Sequence, residues 1–228
     1  MKKVLITLPI YNEEKIIYKN TNQVIKHIKK ISNYNFKINL VCNGCTDDSE
    51  KVAYKLKKEN PKLVKVDSID KKGRGHALKY SWEKSDADIL CYMDMDLATS
   101  LKNINDLVEK IDLGYDICIG SRYINKSKVK RDLLRLLLSK IYNHIVIKYF
   151  DLKVHDIQCG FKAISKKTKK IIKKIKDNEW FFDTELLITA KKEDLKIIEI
   201  PITWTENKNS KISFIHTPIY FLKKILEI

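Results

Sequence analysis

The sequence predicts an α/β protein: a mostly parallel, open sheet with helices on both faces. Three observations predict it. Short apolar runs alternate with helical patterns through the first half, which builds strand–helix–strand units rather than hairpins. The runs end in polar or special residues at Pro9, Asn43, Asp94, Asp96 and Gly120; ligands of such sheets bind beyond the carboxyl ends of the strands. The length of 228 residues suffices for one sizeable core, so a single domain is expected over 1–228.

The elements follow in order. VLITLP from Val4 reads as a buried strand, and Asn12 to Ile31 as a helix capped by Asn12. INLVC from Ile38 is a second strand, followed by the turn NGCTDD. Asp48 to Asn60 is a second helix stopped by Pro61. LVKV from Leu63 is a third strand, and KKGRGHALKYSW a glycine turn feeding a helix. DILCYMDMD from Asp88 is a fourth strand ending in carboxylates, and DICIGSR from Asp116 a fifth. Beyond it, Ser127 to Tyr149 is basic and apolar-rich, and Asp156 to Ala163 reads as a turn. Trp180 to Ala190 reads as a helix, LKIIEIPITW from Leu195 as a strand, and the tail from Thr217 as an amphipathic helix.

Hydrophobic content of 44% and charged content of 32% exclude wholesale disorder. The net charge of +16 favours an anionic partner, although lysine bias accounts for part of it. Nucleic acid is not the expected partner: zinc-finger spacing, RNP motifs and aromatic-laced basic stretches are missing. The five cysteines, Cys42, Cys45, Cys91, Cys118 and Cys159, are scattered and odd in number, unlike a disulfide framework. The C-x-x-C of Cys42 and Cys45 reads as a chance spacing. The sequence opens without a signal peptide and has no apolar run of the roughly 20 residues a spanning helix needs. A cytoplasmic protein, peripheral on the cytoplasmic membrane face, is expected.

Asp94 and Asp96 are the first candidates for chemistry. Alternate residues of a strand share a face, so two carboxylates at i and i+2 converge where the strand leaves the sheet. Such a pair suits a hard divalent cation bridging to a diphosphate, because magnesium takes only one or two protein carboxylates. In LPIYNEE, Pro9 and Tyr11 at a strand exit could wall a base pocket with Glu13 as a polar contact; the alternative is a plain strand, turn and helix cap. In KKGRGHA, Gly73 lets backbone N–H groups approach an anion; the third glycine of a dinucleotide fingerprint is missing. In GSRY, Arg122 sits where an anion can be gripped.

The order LPIYNEE, NGCTDD, GRGHA, DMDLATS, IGSRY resembles the family-2 glycosyltransferases of GT-A fold. DIQCGFKAI, WFFDTELL and EIPITWTENKNSKI resemble the branch that makes dolichyl-phosphate glucose, and Ala98 in DLATS fits that branch better than the mannosyl one. The resemblance spans nearly the whole chain, with 1–122 as the nucleotide-sugar half and 123–228 as the acceptor half. It implies that Pro9, Tyr11, Glu13 and Asn43 frame the nucleotide, a UDP-sugar being favoured. It implies that Asp94 approaches ribose and sugar, that Asp96 with Asp94 binds Mg2+ or Mn2+, and that Lys211 reaches the diphosphate. Arg122 is placed by the acceptor, and Asp183 beside it as base or positioning residue; the alternative for Asp183 is a helix cap. Where the family often has two aspartates, this chain has Cys42 and Asn43.

The expected reaction is inverting transfer of a hexose to a polyprenyl or dolichyl phosphate. Such an acceptor is already ionised near neutral pH, its second pKa being about 6. The alternative is transfer to a hydroxyl of a polysaccharide or glycolipid, for which Asp183 is the candidate base. Arg131 and Arg135, four apart, are expected to share a helix face and grip the lipid phosphate. The leucines around them, and the terminal TPIYFLKKILEI, are expected to rest in the membrane interface.

Overall fold

The computed structural model describes residues 1–206, 220, 221 and 223–225. The expected helix over the tail from Thr217 therefore falls largely outside the described residues, as does Lys211.

Strand β1 (Lys3–Ile10) is buried along almost its whole length, as a central parallel strand must be. Helix α1 (Glu14–Ile28) packs Ile17, Thr21, Val24, Ile25 and Ile28 inward at helical spacing. It starts two residues later than Asn12, which has φ +54° and is no cap. Asn12 instead exchanges hydrogen bonds with Thr46, at 2.9 Å to its hydroxyl and 2.8 Å from its N–H. The chain continues through β2 (Asn35–Asn43), α2 (Ser49–Glu59), β3 (Val64–Ile69), α3 (Arg74–Glu83) and β4 (Ile89–Met93). Then come α4 (Asn103–Asp112), β5 (Ile117–Ser121), β6 (Lys128–Lys130) and α5 (Leu133–Phe150). The last elements are β7 (Phe161–Ser165), α6 (Lys169–Ile172), α7 (Phe182–Lys192), β8 (Ile197–Pro201) and β9 (Thr203–Thr205).

The main sheet runs β3-β2-β1-β4-β7-β5-β8. Its neighbours are parallel except β7, which is antiparallel to both β4 and β5. The segment expected to be only a turn, Asp156 to Ala163, thus runs into the strand that joins the two parts of the sheet. Lys162, its second residue, puts a lysine at a fully buried position. A small second sheet pairs β6 with β9. Helix α4 was not marked in the sequence reading, although Ile104, Leu107, Val108 and Ile111 repeat at helical spacing and are buried.

Wholly buried Leu8, Ile10, Ile38, Leu40, Trp82, Leu90 and Tyr92 form the centre of the core. Each large apolar side chain withdrawn from water contributes about 1.5–3 kcal/mol. The five cysteines are free thiols, four of them buried. The strand order reverses beside β1, between its neighbours β2 and β4. Open α/β sheets hold ligands in a crevice past the carboxyl ends of the strands at such a reversal, here the ends of β1 and β4.

Candidate active site

The crevice begins with the acidic turn. Strand β4 closes at Met93, and Asp94 to Leu97 form a tight turn, with the Leu97 N–H donating to the Asp94 carbonyl at 3.2 Å. The two carboxylates lie on this turn and not on the strand, so the turn rather than strand alternation sets their relation. Leu97 takes φ +53°, and the Asp96 carboxylate accepts the Ala98 N–H at 3.0 Å. Met95, between them, is buried.

Asp94 is pushed up to about 6, chiefly by burial; Asp96 and Asp183 add to the rise, while Arg74 and Lys162 oppose it. Protein surrounds this carboxyl on most sides, yet 41% of its side chain stays exposed. Gly160 lies against it: a Cβ there would collide with the Asp94 carboxylate. The donor chemistry of this pair suits a divalent cation. Asp94 and Asp96 are hard oxygen donors that feel each other's charge, and no group of three or more candidate ligands exists among the described residues. Two protein carboxylates leave room for water and diphosphate oxygens, as Mg2+ and Mn2+ sites require.

Pro9 is the next-to-last residue of β1, and Pro9, Tyr11 and Glu13 are half-buried near the carboxyl end of that strand. The Tyr11 ring lies beneath the Lys72 ammonium, 4.1 Å from its centroid, which sets a cation on this wall that the sequence reading had not marked. The Glu13 N–H donates to Ser49 at 2.7 Å and fixes the entry of α1 against α2.

Asn43 is 3% exposed and spends its amide on the backbone: it donates to the Ile10 carbonyl at 2.7 Å and accepts from Gly73 N–H at 3.0 Å. It staples β1, β2 and the start of α3. Three N–H groups of the glycine turn are therefore already engaged within the protein. Gly73 N–H goes to Asn43, Gly75 N–H to the Glu179 carbonyl at 3.2 Å and His76 N–H to the Asn178 carbonyl at 2.9 Å. The glycines serve close packing instead: a Cβ at Gly75 would stand 2.8 Å from that of Phe182, and one at Gly73, φ +150°, would run into the Asn178 carbonyl.

Between those glycines lies Arg74, which the sequence reading passed over. Its guanidinium is 3.5 Å from Asp94, pairs with Asp183, and lies 4.7 Å from the Trp180 ring centroid. Asp183 is wholly buried. It accepts from Lys162 Nζ at 2.7 Å, from the Tyr92 hydroxyl and from Arg74. Burial alone would push its carboxyl up; Arg74 and Lys162, with hydrogen bonds from Lys162 and Tyr92, outweigh it and hold the group below the ordinary carboxylate range. Asp183 does not cap α7, whose cap position is Phe181.

The three arginines separate. Arg122 is locked on Asp156 by a fork of 2.7 and 2.8 Å, with Asp156 fully buried. Arg131 precedes α5, whose cap is Asp132, so Arg131 and Arg135 do not share a face of that helix. Arg135 pairs with Glu206 at 2.9 Å. Arg131 reaches Ser139 at 2.8 Å, lies over the Trp204 ring at 5.4 Å, and forms no carboxylate pair among the described residues. Its Nε is buried without a hydrogen-bond partner, and burial with the nearby Arg122 charge weakens its hold on its proton. Of the three, Arg131 carries the charge least matched by an acid.

An open, mostly parallel sheet with one antiparallel strand and an acidic turn past the end of β4 is the architecture of the GT-A fold. The structure of glucosyl-3-phosphoglycerate synthase from Mycobacterium tuberculosis in complex with Mn2+ and UDP-glucose superposes with a TM-score of 0.70. The two are 16% identical over 100% of this chain and 80% of that one. The chain belongs to glycosyl transferase family 2, whose model matches residues 5–172. Among curated relatives, glycosyltransferase AglD of Haloferax volcanii is 31% identical over 93% of this chain and 35% of its own length. The dolichyl-phosphate beta-glucosyltransferase ALG5A of Trichomonas vaginalis is 28% identical over 91% of this chain and 67% of its own. The Homo sapiens dolichyl-phosphate beta-glucosyltransferase is 26% identical over 92% and 70%. The chain thus spans about a third of the archaeal relative and two thirds of the others.

Proposed function

We propose that this chain is an inverting hexosyltransferase that moves glucose or another hexose from a nucleotide-diphosphate sugar, a UDP-sugar being favoured, to a polyprenyl or dolichyl phosphate. The observation that carries the reading is the Asp94–Asp96 turn at the crevice where the strand order reverses. The names of the eukaryotic relatives supply the acceptor class, and Arg131 over Trp204 supplies a cation suited to a phosphate.

In this reading Pro9 and Tyr11 bracket the base, and Lys72, stacked on Tyr11, faces the phosphates. Asp94 and Asp96 would hold a divalent cation, which would supply neutralisation of charge on the leaving diphosphate. The protein contributes orientation: Gly160 gives Asp94 its space, and Leu97 closes the turn that aims both carboxylates. An acceptor phosphate held by Arg131 is already anionic, so its attack on the anomeric carbon needs no strong protein base. Attack opposite the leaving diphosphate inverts that centre.

Helix α5 supports contact with a lipid surface. Leu133, Leu134, Leu137, Ile141 and Ile145 are 80%, 59%, 56%, 48% and 41% exposed, a stripe advancing about one turn at a time. Lys140 and Lys148 flank it. A stripe of this kind beside a basic edge rests in a headgroup interface. No described helix is long and apolar enough to cross a membrane.

The test is transfer by the purified protein from radiolabelled UDP-glucose with Mn2+, offered either polyprenyl phosphate or the matching polyprenol. Label on the phosphate alone supports the reading. Label on the alcohol, or on neither, removes it.

A further inference from the structure

Asp183, Lys162 and Tyr92 form a charged knot that the donor chemistry above leaves unused. Lys162 and Asp183 are both 0% exposed. The knot follows from the sheet: Lys162 on β7 stands in register with Tyr92 on β4 and Ile119 on β5. Its ammonium is fully engaged, donating to the Ile157 carbonyl at 2.9 Å, the Cys159 carbonyl at 2.6 Å and Asp183 at 2.7 Å. Buried charges persist only when matched in this way.

Arg74 is matched differently. A guanidinium normally closes its fork on one carboxylate. Here the fork is divided. One terminal nitrogen goes to Asp183 and to the Tyr92 hydroxyl at 3.2 Å; the other stands off from Asp94 at 3.5 Å. Its Nε is buried with no hydrogen-bond partner. Asp183 has the closer hold.

We propose that Asp183 is a positioning residue: it holds the Arg74 guanidinium back from Asp94 and so leaves the Asp94 carboxylate open to the divalent cation. This rests on the nucleotide-sugar reading above. Lys162 and Tyr92 fix Asp183, and Trp180 covers the guanidinium. With the Asp183 charge removed, the carboxylate left to Arg74 is Asp94, and a closed fork there occupies the oxygens the cation needs. The same geometry removes Asp183 as proton acceptor, because Lys162, Tyr92 and Arg74 already donate to its two oxygens.

The readout is Mn2+ binding in saturating UDP, followed by the electron paramagnetic resonance of free Mn2+, so acceptor and turnover play no part. Asp183→Asn is expected to lower Mn2+ affinity roughly tenfold or more. Adding Arg74→Gln to that variant is expected to restore affinity to within about threefold of the native value, because the competing cation is gone. Native Mn2+ affinity in Asp183→Asn, with transfer lost, makes Asp183 a proton acceptor and overturns the proposal; failure of Arg74→Gln to restore binding also overturns it. Should Asp183→Asn not fold, Arg74→Gln alone decides, since Asp183 keeps Lys162 and Tyr92. That variant must bind Mn2+ at least as tightly as the native protein, and weaker binding overturns the proposal. Native protein that binds no Mn2+ with UDP defeats the donor reading and this inference together, a pattern distinct from the others.

Discussion

Asp94 illustrates how few atoms set the chemistry of the crevice. Its carboxyl is raised to about 6, mainly by burial, with Asp96 adding to the rise. The sign follows: a cation needs the ionised form, so binding below about pH 6 must displace a proton. Mn2+ binding in the presence of UDP is expected to release protons at about pH 5, from Asp94 and from the terminal phosphate of UDP, and none above about pH 7.5, measured by calorimetry in buffers of different ionisation enthalpy. For folding without cation, the raised carboxyl favours the native state at low pH, and that contribution is lost as pH rises from about 4 through 6. Gly160→Ala tests the space itself. Its Cβ would displace the Asp94 carboxylate, so Mn2+ affinity is expected to fall while the melting temperature moves little. Asp96→Ala is expected to cut transfer roughly 10²–10³-fold with the circular dichroism spectrum unchanged; undiminished turnover would remove its role.

At the scale of elements, the pairing of Arg122 with Asp156 ties the end of β5 to the segment leading into β7. Asp156→Asn leaves the Arg122 guanidinium buried without its counter-charge, a change expected to cost about 3–5 kcal/mol in urea unfolding. A cost below about 1 kcal/mol would mean the pair is solvated in solution. Arg122 was legible in the sequence as special but not as structural, because its partner lies 34 residues on. The parallel strands and the acidic pair at the end of β4 were legible from local pattern, but the turn that carries the pair was not. Strand β7 was not legible either, because its buried Lys162 is tolerated only through carbonyls and a carboxylate that tertiary folding supplies. The glycine turn was misread for a similar reason: Gly73 and Gly75 answer to Asn178 and Phe182, more than a hundred residues away in the chain. Arg74 between them carried no signal of its own.

For the whole molecule, charge and the α5 stripe act together. Net charge is +16, and the exposed apolar residues of α5 lie along one helix. Binding to anionic vesicles is expected at low salt and to weaken toward about 1 M salt, where screening shortens to about 3 Å. Leu137→Glu with Ile141→Glu is expected to weaken vesicle sedimentation at every salt concentration without lowering the melting temperature, since both side chains are already exposed. Equal sedimentation of that variant would leave lysine attraction alone as the cause. Strand β7 has a further consequence for how this molecule comes apart. Ala163 faces Cys91 on one side and Cys118 on the other, so both ladders of the sheet meet on five residues. Rim strand β8 can fray by itself, but amide protons of Ala163 and Ile164 can trade with deuterium only when the two flanks part. Their exchange clock reads the cohesion of the entire chain.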